Sequence, residues 1–592
     1  MDAKDVKRLF DFPRYALANH PKSDALAYKV NGEWVKFSTS EYIENANNFS
    51  KGLLRLGIKP GDKIALISTN NRPEWCMCDI GILQIGAIDV PMYPTISETD
   101  YKFIFNDAEV KLCFVSDAEL YKKVSNVKGD VASLQDIYTF DKVEGAKNWI
   151  EVLELGKADD MSEVERLMVD VKEDDLATLI YTSGTTGVPK GVMLSHKNIS
   201  SNALASGKRL PVRNTAVSLS FLPLCHIYER MLIYLYVLKG VSIYFAESME
   251  TIGDNLREVK PQVFTAVPRL LEKVYDKIVA KGNDLTGVKR TLFFWALNLG
   301  LQYEPYGANG FWYECKLSIA RKLIFSKWKE ALGGNVEAVA SGSAALQARL
   351  ARVFLAAGIP VMEGYGLTET SPVVTVNEQD NKGLRIGTVG RAIDGVQVII
   401  AEDGEILVKG PNVMLGYYKR PDATAEIIDS DGWLHTGDIG ELSTDGFLRI
   451  TDRKKEIFKT SGGKYIAPQP MENKFKESNF IEQIMVIGEN KKHPAALVVP
   501  AFDYIRNWCK EKEIKAETND EIVANEKVVE RIQTEIDRLN ASFGQYEQVK
   551  KIEILNEPWA IDTGELTPTL KLKRKVIMGK YAHLVDKIYT EN

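Results

Sequence analysis

The sequence predicts an α/β protein. A large N-terminal domain holds two layered α/β subdomains and a small β unit, and a small α/β C-terminal domain follows. Three observations predict it. Short β-branched runs alternate with helical stripes over the first 370 or so residues. From about residue 373 to 450 the strands shorten and Gly, Asp and Asn separate them. A charged cluster at residues 452–456 (DRKKE) then opens a final α/β region of about 140 residues.

The elements follow in order. Residues 63–69 (KIALIST) are a nearly continuous apolar run, the pattern of a strand buried on both faces. Residues 73–86 read as a helix with Pro73 in its first turn. Further strands are expected at 110–116, 176–181, 216–220, 241–246, 263–267 and 338–340. Leu346, Leu350, Val353, Phe354 and Ala357 form one apolar helical stripe, which Gly358 stops before a strand at 361–362. Such alternation implies mostly parallel sheets covered by helices on both faces, and the length suggests two of them. The turn-rich spacers EDGEIL, DSDGWLH and STDGFL mark the small antiparallel β unit. The charged junction divides residues 1–452 from 453–592, where strands are expected near 485–488, 497–500 and 552–555.

Composition narrows the function classes. With 45% hydrophobic and 26% charged residues in 592, the chain is neither disordered, collagenous nor a coiled coil. The formal net charge of −6 argues against general nucleic-acid binding. Of six cysteines only Cys76 and Cys78 are close, and C-x-C without a second pair is not a metal spacing. They read as reduced thiols of a cytoplasmic protein. The N-terminus lacks the apolar core of a secretory signal, and no run approaches the length of a membrane span.

The strongest local signal is Tyr181-Thr182-Ser183-Gly184-Thr185-Thr186-Gly187-Val188-Pro189-Lys190-Gly191. It follows a strand and precedes a helix that Ser195 is placed to cap. Its glycines expose backbone N–H groups, which form a nest for phosphate oxygens; four hydroxyls and Lys190 add donors. Gly191 stands where a Walker loop needs Ser or Thr, so a P-loop ATPase is the weaker nucleotide reading.

This segment resembles the phosphate-binding signature of the adenylate-forming enzymes: acyl- and aryl-CoA synthetases, luciferases and peptide-synthetase adenylation domains. Further matches follow in that family's order. Leu222-Pro223-Leu224-Cys225-His226 resembles its histidine-bearing strand end. Gly364-Tyr365-Gly366-Leu367-Thr368-Glu369-Thr370 resembles its adenine and metal motif. His435-Thr436-Gly437-Asp438 is similar to its ribose motif and DRKKE to its hinge. Gly462-Gly463-Lys464-Tyr465-Ile466-Ala467-Pro468 and residues 566–574 (LTPTLKLKR) fall in its mobile C-terminal lid.

The resemblance implies ATP, Mg²⁺ and coenzyme A as ligands. It places the β- and γ-phosphates on the loop from Ser183 to Lys190 and adenine on Tyr365. It places the ribose on Asp438, and ribose or phosphate oxygens on Arg453. Thr182 and Glu369 would hold Mg²⁺, with the Thr368 hydroxyl beside them. Lys571 would stabilise the charge that builds as a carboxylate meets the α-phosphate, with Lys573 as runner-up because Thr569-Leu570-Lys571 departs from the usual Ser-Gly-Lys. His226 is assigned positioning or gating. The lid would rotate near Lys455 and bring Gly462, Gly463 and Lys464 toward CoA. Taken singly, each of these residues also has a plain structural reading, such as a core tyrosine or a solvated charge.

Two segments resemble the long-chain fatty acyl-CoA synthetases within that family. One is Thr265-Ala266-Val267-Pro268-Arg269-Leu270-Leu271-Glu272-Lys273-Val274. The other is an aromatic-rich insert between Lys281 and Val336, completed by Ser341-Gly342-Ser343-Ala344-Ala345-Leu346. The insert helices are expected to wall an apolar acyl channel. The resemblance therefore implies a long-chain fatty acid–CoA ligase. Transfer to an acyl carrier protein and a non-catalytic lipid-binding role are the alternatives. Leu317, Ala320, Ile324 and Trp328 form one stripe flanked by Lys316, Arg321, Lys322, Lys327 and Lys329. That helix either packs on its own core or lies peripherally on an anionic membrane.

Overall fold

Two large sheets form the body of the protein, whose structure is a computed structural model. It describes residues 2–183, 188–380, 382–561, 563–567 and 570–590. The first sheet has nine strands, in the order Arg391–Ala392, Val373–Val376, Val361–Gly366, Ala338–Ser341, Val263–Ala266, Val217–Ser220, Ser242–Phe245, Leu26–Val30 and Glu33–Phe37. Its six central strands pair in parallel and only the margins are antiparallel. The second has eight strands, in the order Gly416–Tyr417, Pro189–Ser195, Leu176–Ser183, Ile88–Met92, Lys63–Ile67, Val110–Val115, Asp136–Thr139 and Lys147–Asn148. Four of the five residues of Lys63–Ile67 are buried, as a strand covered on both faces requires. Pro73 starts the helix Pro73–Gln84, and Gly358 follows the helix Ala348–Ala356 with a positive φ of 73°.

The structure departs from the sequence expectation in two places. The signature loop leads into a strand, not a helix. Pro189–Ser195 returns antiparallel to Leu176–Ser183, with Thr182 opposite Lys190. Val192 and Leu194 bury their side chains there, and only then does Ser195 cap the helix His196–Arg209 by accepting from the Asn198 N–H. The turn-rich segment is also divided. Val373–Val376 and Arg391–Ala392 extend the nine-stranded sheet, and Gly416–Tyr417 joins the eight-stranded one. The small β unit itself has four strands, Gln397–Ile400, Glu405–Lys409, Leu434–Leu442 and Leu448–Arg453.

The insert is helical, as the sequence suggests. The helices Gly287–Leu301 and Phe311–Ala320 lead through a π-helical turn, Arg321–Phe325, into Ser326–Ala331. Leu317, Ala320 and Trp328 are buried, and Trp328 meets Phe325 and Phe354 edge-on. The stripe thus packs on the protein's own core, the first of the two readings. Among the described residues no helix is long and apolar enough to cross one.

The C-terminal region forms its own core around a three-stranded sheet, Ile481–Ile487, Ala495–Pro500 and Lys551–Ile554. Phe475, Ile484, Val498, Ile532 and Ile536 centre that core.

A buried ionic cluster ties the two large sheets together. Arg230, on the helix Ile227–Lys239, reaches Asp79 at 2.5 Å, Asp89 at 2.9 Å and the Thr178 hydroxyl at 2.9 Å. Tyr234, one turn on, donates to the other Asp79 oxygen. Removing the guanidinium would strand two buried carboxylates. Arg230→Met is therefore expected to destabilise the protein by about 3–5 kcal/mol, read from its urea midpoint. A loss under about 1 kcal/mol would show that the cluster contributes little.

Candidate active site

Parallel strands gather functional side chains at their carboxyl ends, and ligands in open α/β sheets bind there. The nine-stranded sheet aligns Ala266, Ser341 and Glu363 in register at that edge. The segments leaving it carry His226, Gly342-Ser343-Ala344 and the run from Gly364 to Glu369, and all of these border one cavity of about 1980 Å³. The same cavity reaches Thr182 and Lys190 from the other sheet, Asp438 and Arg453 from the β unit, and Lys571 and Lys573 from the C-terminal region. Glycine is obligatory at position 366, where a Cβ would sit 1.7 Å from the Pro372 carbonyl oxygen. Gly342 admits the Tyr228 ring, 3.1 Å from where its Cβ would be.

Asp438 is the hub of one side. Its Oδ2 accepts from the Tyr365 hydroxyl at 2.7 Å and its Oδ1 from Arg453 Nε at 3.1 Å. Asp438 and Arg453 face each other across paired strands, so the backbone sets their spacing. The bond to Asp438 fixes the Tyr365 ring. Glu405 stands behind this motif, accepting from the Gly437 N–H at 2.8 Å and meeting His435 Nδ1 at 3.1 Å. It also accepts from Lys454 Nζ at 2.9 Å, and Asp403 holds the same ammonium at 2.6 Å. Next to it Lys455 is exposed and borders the cavity.

Glu369 lies on a short 3₁₀ turn after the strand Val361–Gly366, with Thr368 preceding it. Its Oε1 accepts from the Tyr417 hydroxyl at 2.8 Å, and Lys190 Nζ lies 5.0 Å from the centre of the Tyr417 ring. Gly184, Thr185, Thr186 and Gly187 lie outside the described residues, as does the Ser183 side chain.

A tight turn delivers Lys571. Leu566 bridges to Leu572, and the Lys571 N–H donates to Thr567 Oγ1 at 3.0 Å. Leu570 adopts a φ of 61°, a left-handed conformation that glycine adopts without strain. This is the position at which the sequence departs from Ser-Gly-Lys. Arg574 anchors the far side of the turn, donating to Glu472 Oε1 at 2.6 Å and to the Val486 carbonyl. Burial, and then the Arg453 guanidinium, push the Lys571 ammonium down to about 8; Asp438, Glu456 and Glu369 oppose this. Burial, and then Lys571, push His226 down to about 4, so its imidazole is neutral at pH 7. His226 Nδ1 accepts from the Tyr228 N–H at 3.1 Å and so caps its own helix. Gly462, Gly463 and Lys464, on the hairpin between Phe458–Lys459 and Tyr465–Ile466, do not border the cavity.

Known proteins resemble this chain over most of its length. The profile of the AMP-binding enzyme family matches residues 13–418, and that of the AMP-binding enzyme C-terminal domain matches residues 455–592. The chain belongs to the AMP-binding enzyme family. It is 33% identical to long-chain-fatty-acid–CoA ligase FadD15 of Mycobacterium tuberculosis, over 95% of this chain and 94% of that one. To the peroxisomal long chain acyl-CoA synthetase 7 of Arabidopsis thaliana it is 31% identical, over 100% of this chain and 87% of that one. Its fold is that of the anthranilate CoA ligase AuaEII, solved with anthranoyl-AMP, at a TM-score of 0.73 and 18% identity over 98% and 99% of the two chains.

Within this family member, sequence reasoning missed Tyr417, Glu405, Glu472 and Arg574. Each acts through a partner 30 or more positions away, so no local spacing announces it. The insert also differs from expectation. Its helices do not border the cavity, whose apolar lining includes Met231, Leu232 and Leu235 instead. His226 carries a structural duty that can be separated from chemistry. His226→Ala is expected to lose about 1 kcal/mol of stability, whereas His226→Asn, whose side chain also caps, should keep most of it. Equal losses in thermal or urea unfolding would remove the cap from the account.

Proposed function

We propose that the protein is an AMP-forming acid–thiol ligase that converts a long-chain fatty acid, ATP and CoA into acyl-CoA, AMP and pyrophosphate. The observation that carries the reading is the convergence of Lys571, Arg453, Asp438, Glu369 and His226 on one cavity. The long-chain assignment draws on the names of the relatives and on the apolar wall of Met231, Leu232 and Leu235. Residues 1–452 form the body and 453–592 the lid.

In the first step a carboxylate oxygen bonds to the α-phosphorus and the bond to the β-phosphate bridge breaks, releasing pyrophosphate. The protonated Lys571 holds the two anions together and stabilises the charge that builds between them. Lys190 offers a second cation toward the phosphates. Tyr365, oriented by Asp438, offers a face to the adenine, and Asp438 with Arg453 offers polar atoms to the ribose. Fatty carboxylates are already ionised at pH 7, so this step needs no base, in keeping with a neutral His226. In the second step the CoA sulfur bonds to the acyl carbon, the thiol proton leaves, and the bond to AMP breaks. Lys571 is in the cavity here and the hairpin bearing Gly462 is not, an arrangement suited to the first step. Rotation near Lys455 would exchange them.

Mg²⁺ binds through one or two carboxylates plus phosphate oxygens. Glu369, fixed by Tyr417, with the Thr182 and Thr368 hydroxyls fits that pattern. Among the described residues no cluster of three or more His, Cys, Asp or Glu makes a self-sufficient cage. When bound, the ion neutralises phosphate charge.

The test is pyrophosphate release from ATP, Mg²⁺ and fatty acids of graded length, with CoA or carrier protein then added. Acyl-CoA should form, and most readily from long chains. Products from short or aromatic acids alone would refute the substrate class, and no pyrophosphate would refute the enzyme. Lys571→Ala should slow the first step by about 100-fold or more, while thioester formation from supplied acyl-AMP changes little. Lys573→Ala should stay near wild type in both; the reverse pattern would transfer the role to Lys573.

A pH profile follows from the depressed Lys571. The cation is the useful form, so kcat/KM of the first step should fall as pH rises through about 8. Lys571→Arg should abolish that alkaline limb at whatever rate it retains. A limb unchanged in the variant would belong to another group.

A further inference from the structure

The two strands that carry the ends of the signature loop are braced from behind. Tyr181 lies opposite Gly191 across them, and a Cβ at position 191 would sit 3.0 Å from the Tyr181 ring. The Tyr181 hydroxyl donates to Asp107 Oδ2 at 2.7 Å. Burial, and then this bond, push the phenol well above its usual range, so it keeps the proton it donates. Asp107 is the last residue but one of the helix Glu98–Ala108, and its side chain is only 11% exposed.

The same residue holds a second segment. Asp107 Oδ1 accepts from Arg420 Nη2 at 3.2 Å, and its backbone carbonyl accepts from Lys419 Nζ at 2.8 Å. Glu109 holds that ammonium as well, at 2.7 Å. Lys419 has a φ of 54°, a left-handed conformation that a residue with a Cβ keeps only where its surroundings hold it. Just before this turn the edge strand Gly416–Tyr417 pairs with Val192 and Met193, and the Tyr418 N–H donates to the Gly191 carbonyl at 2.8 Å. Tyr417 on that edge is the residue whose hydroxyl holds Glu369 and whose ring lies against Lys190. One carboxylate thus ties the strand bearing Thr182 to the segment that orients Glu369 and Lys190. Asp107 itself does not border the cavity. Three donors converging on a residue set back from the site make it a support and not a binding group.

We propose that Asp107 is a positioning residue for the ATP phosphates and their Mg²⁺, acting through Tyr181 on one side and Arg420 on the other. Without it the two segments relax independently. Thr182, Lys190 and Glu369 then lose the fixed spacing on which a grip on charged phosphate oxygens depends. The other half of the nucleotide site, built on Tyr365, Asp438 and Arg453, has no bond to this brace among the described residues and is spared. The inference rests on the ligase reading for the identity of the nucleotide.

The test is calorimetric binding of ATP with Mg²⁺, and separately of AMP, to the full chain with no acid present. Asp107→Ala should weaken Mg²⁺–ATP binding about 10-fold or more and AMP binding by less than about 2-fold, because AMP lacks the β- and γ-phosphates. Tyr181→Phe removes one oxygen and keeps the ring, and it should show the same selectivity. Added to Asp107→Ala it should cost little more, because both break one bond. In turnover the KM for ATP should rise while that for the fatty acid stays. Should Asp107→Ala fail to fold, Tyr181→Phe alone must still separate ATP from AMP. Equal losses for ATP and AMP, no loss, or full additivity of the two substitutions overturns the proposal. Wild-type protein that binds Mg²⁺–ATP but releases no pyrophosphate with any acid overturns the ligase reading instead, and the binding comparison still decides the role of Asp107.

Discussion

The buried Arg230 cluster is the constraint on which the cavity depends. One guanidinium stands against two carboxylates from the eight-stranded sheet's side, Asp79 on a helix and Asp89 on the strand Ile88–Met92. Burial pushes the Asp89 carboxyl well above its usual range, against the pull of Arg230, so a proton on Asp89 can bring the cluster close to neutral. Arg230 lies one turn after His226 on a helix whose residues are almost all buried. Fixing that arginine fixes the helix start, and with it the imidazole and the apolar wall formed by Met231, Leu232 and Leu235. A sheet-to-sheet contact thereby sets where the apolar and polar walls of the cavity meet.

The polar side of the cavity is built differently. Asp438 and Arg453 are held by strand pairing, and Tyr365 is held by Asp438. No member of this set needs a rare conformation. The lid turn does, at Leu570, and it is secured from outside by the Arg574–Glu472 pair. The body therefore presents a stiff half-site, while the remaining cation arrives on a turn whose position depends on two further anchors.

Much of this was legible in the sequence, because strand ends and glycine-rich turns leave local marks. Gly366 and Gly342 are such marks, each being where another chain segment presses close. The α/β layering was legible too, since a parallel strand covered on both faces is a plain apolar run. Other features were not. Lys571 and Lys573 alternate along one turn, and only the fold shows which of them feels Arg453 and His226. The strand Pro189–Ser195 hid in a run of seven residues that reads equally well as the approach to a helix. Tyr417 and Arg574 act across separations of 48 and 102 positions. The insert's apolar residues occupy two faces, and the regular stripe is the inner one.

An ion pair also joins the C-terminal region to the body. Arg269 holds Glu482 of the small sheet at 2.5 Å and Glu272, one turn along its own helix, at 3.1 Å. Both ends of the Glu482 pair are partly open to water, so it is worth about 1 kcal/mol at most. A pair of that strength is shallow enough for thermal motion to break. Glu272 sits on the same helix as Arg269, so breaking the Glu482 pair leaves the arginine a counter-charge. Dissolved salt screens so open a pair and loosens the tether between the two regions without touching their cores.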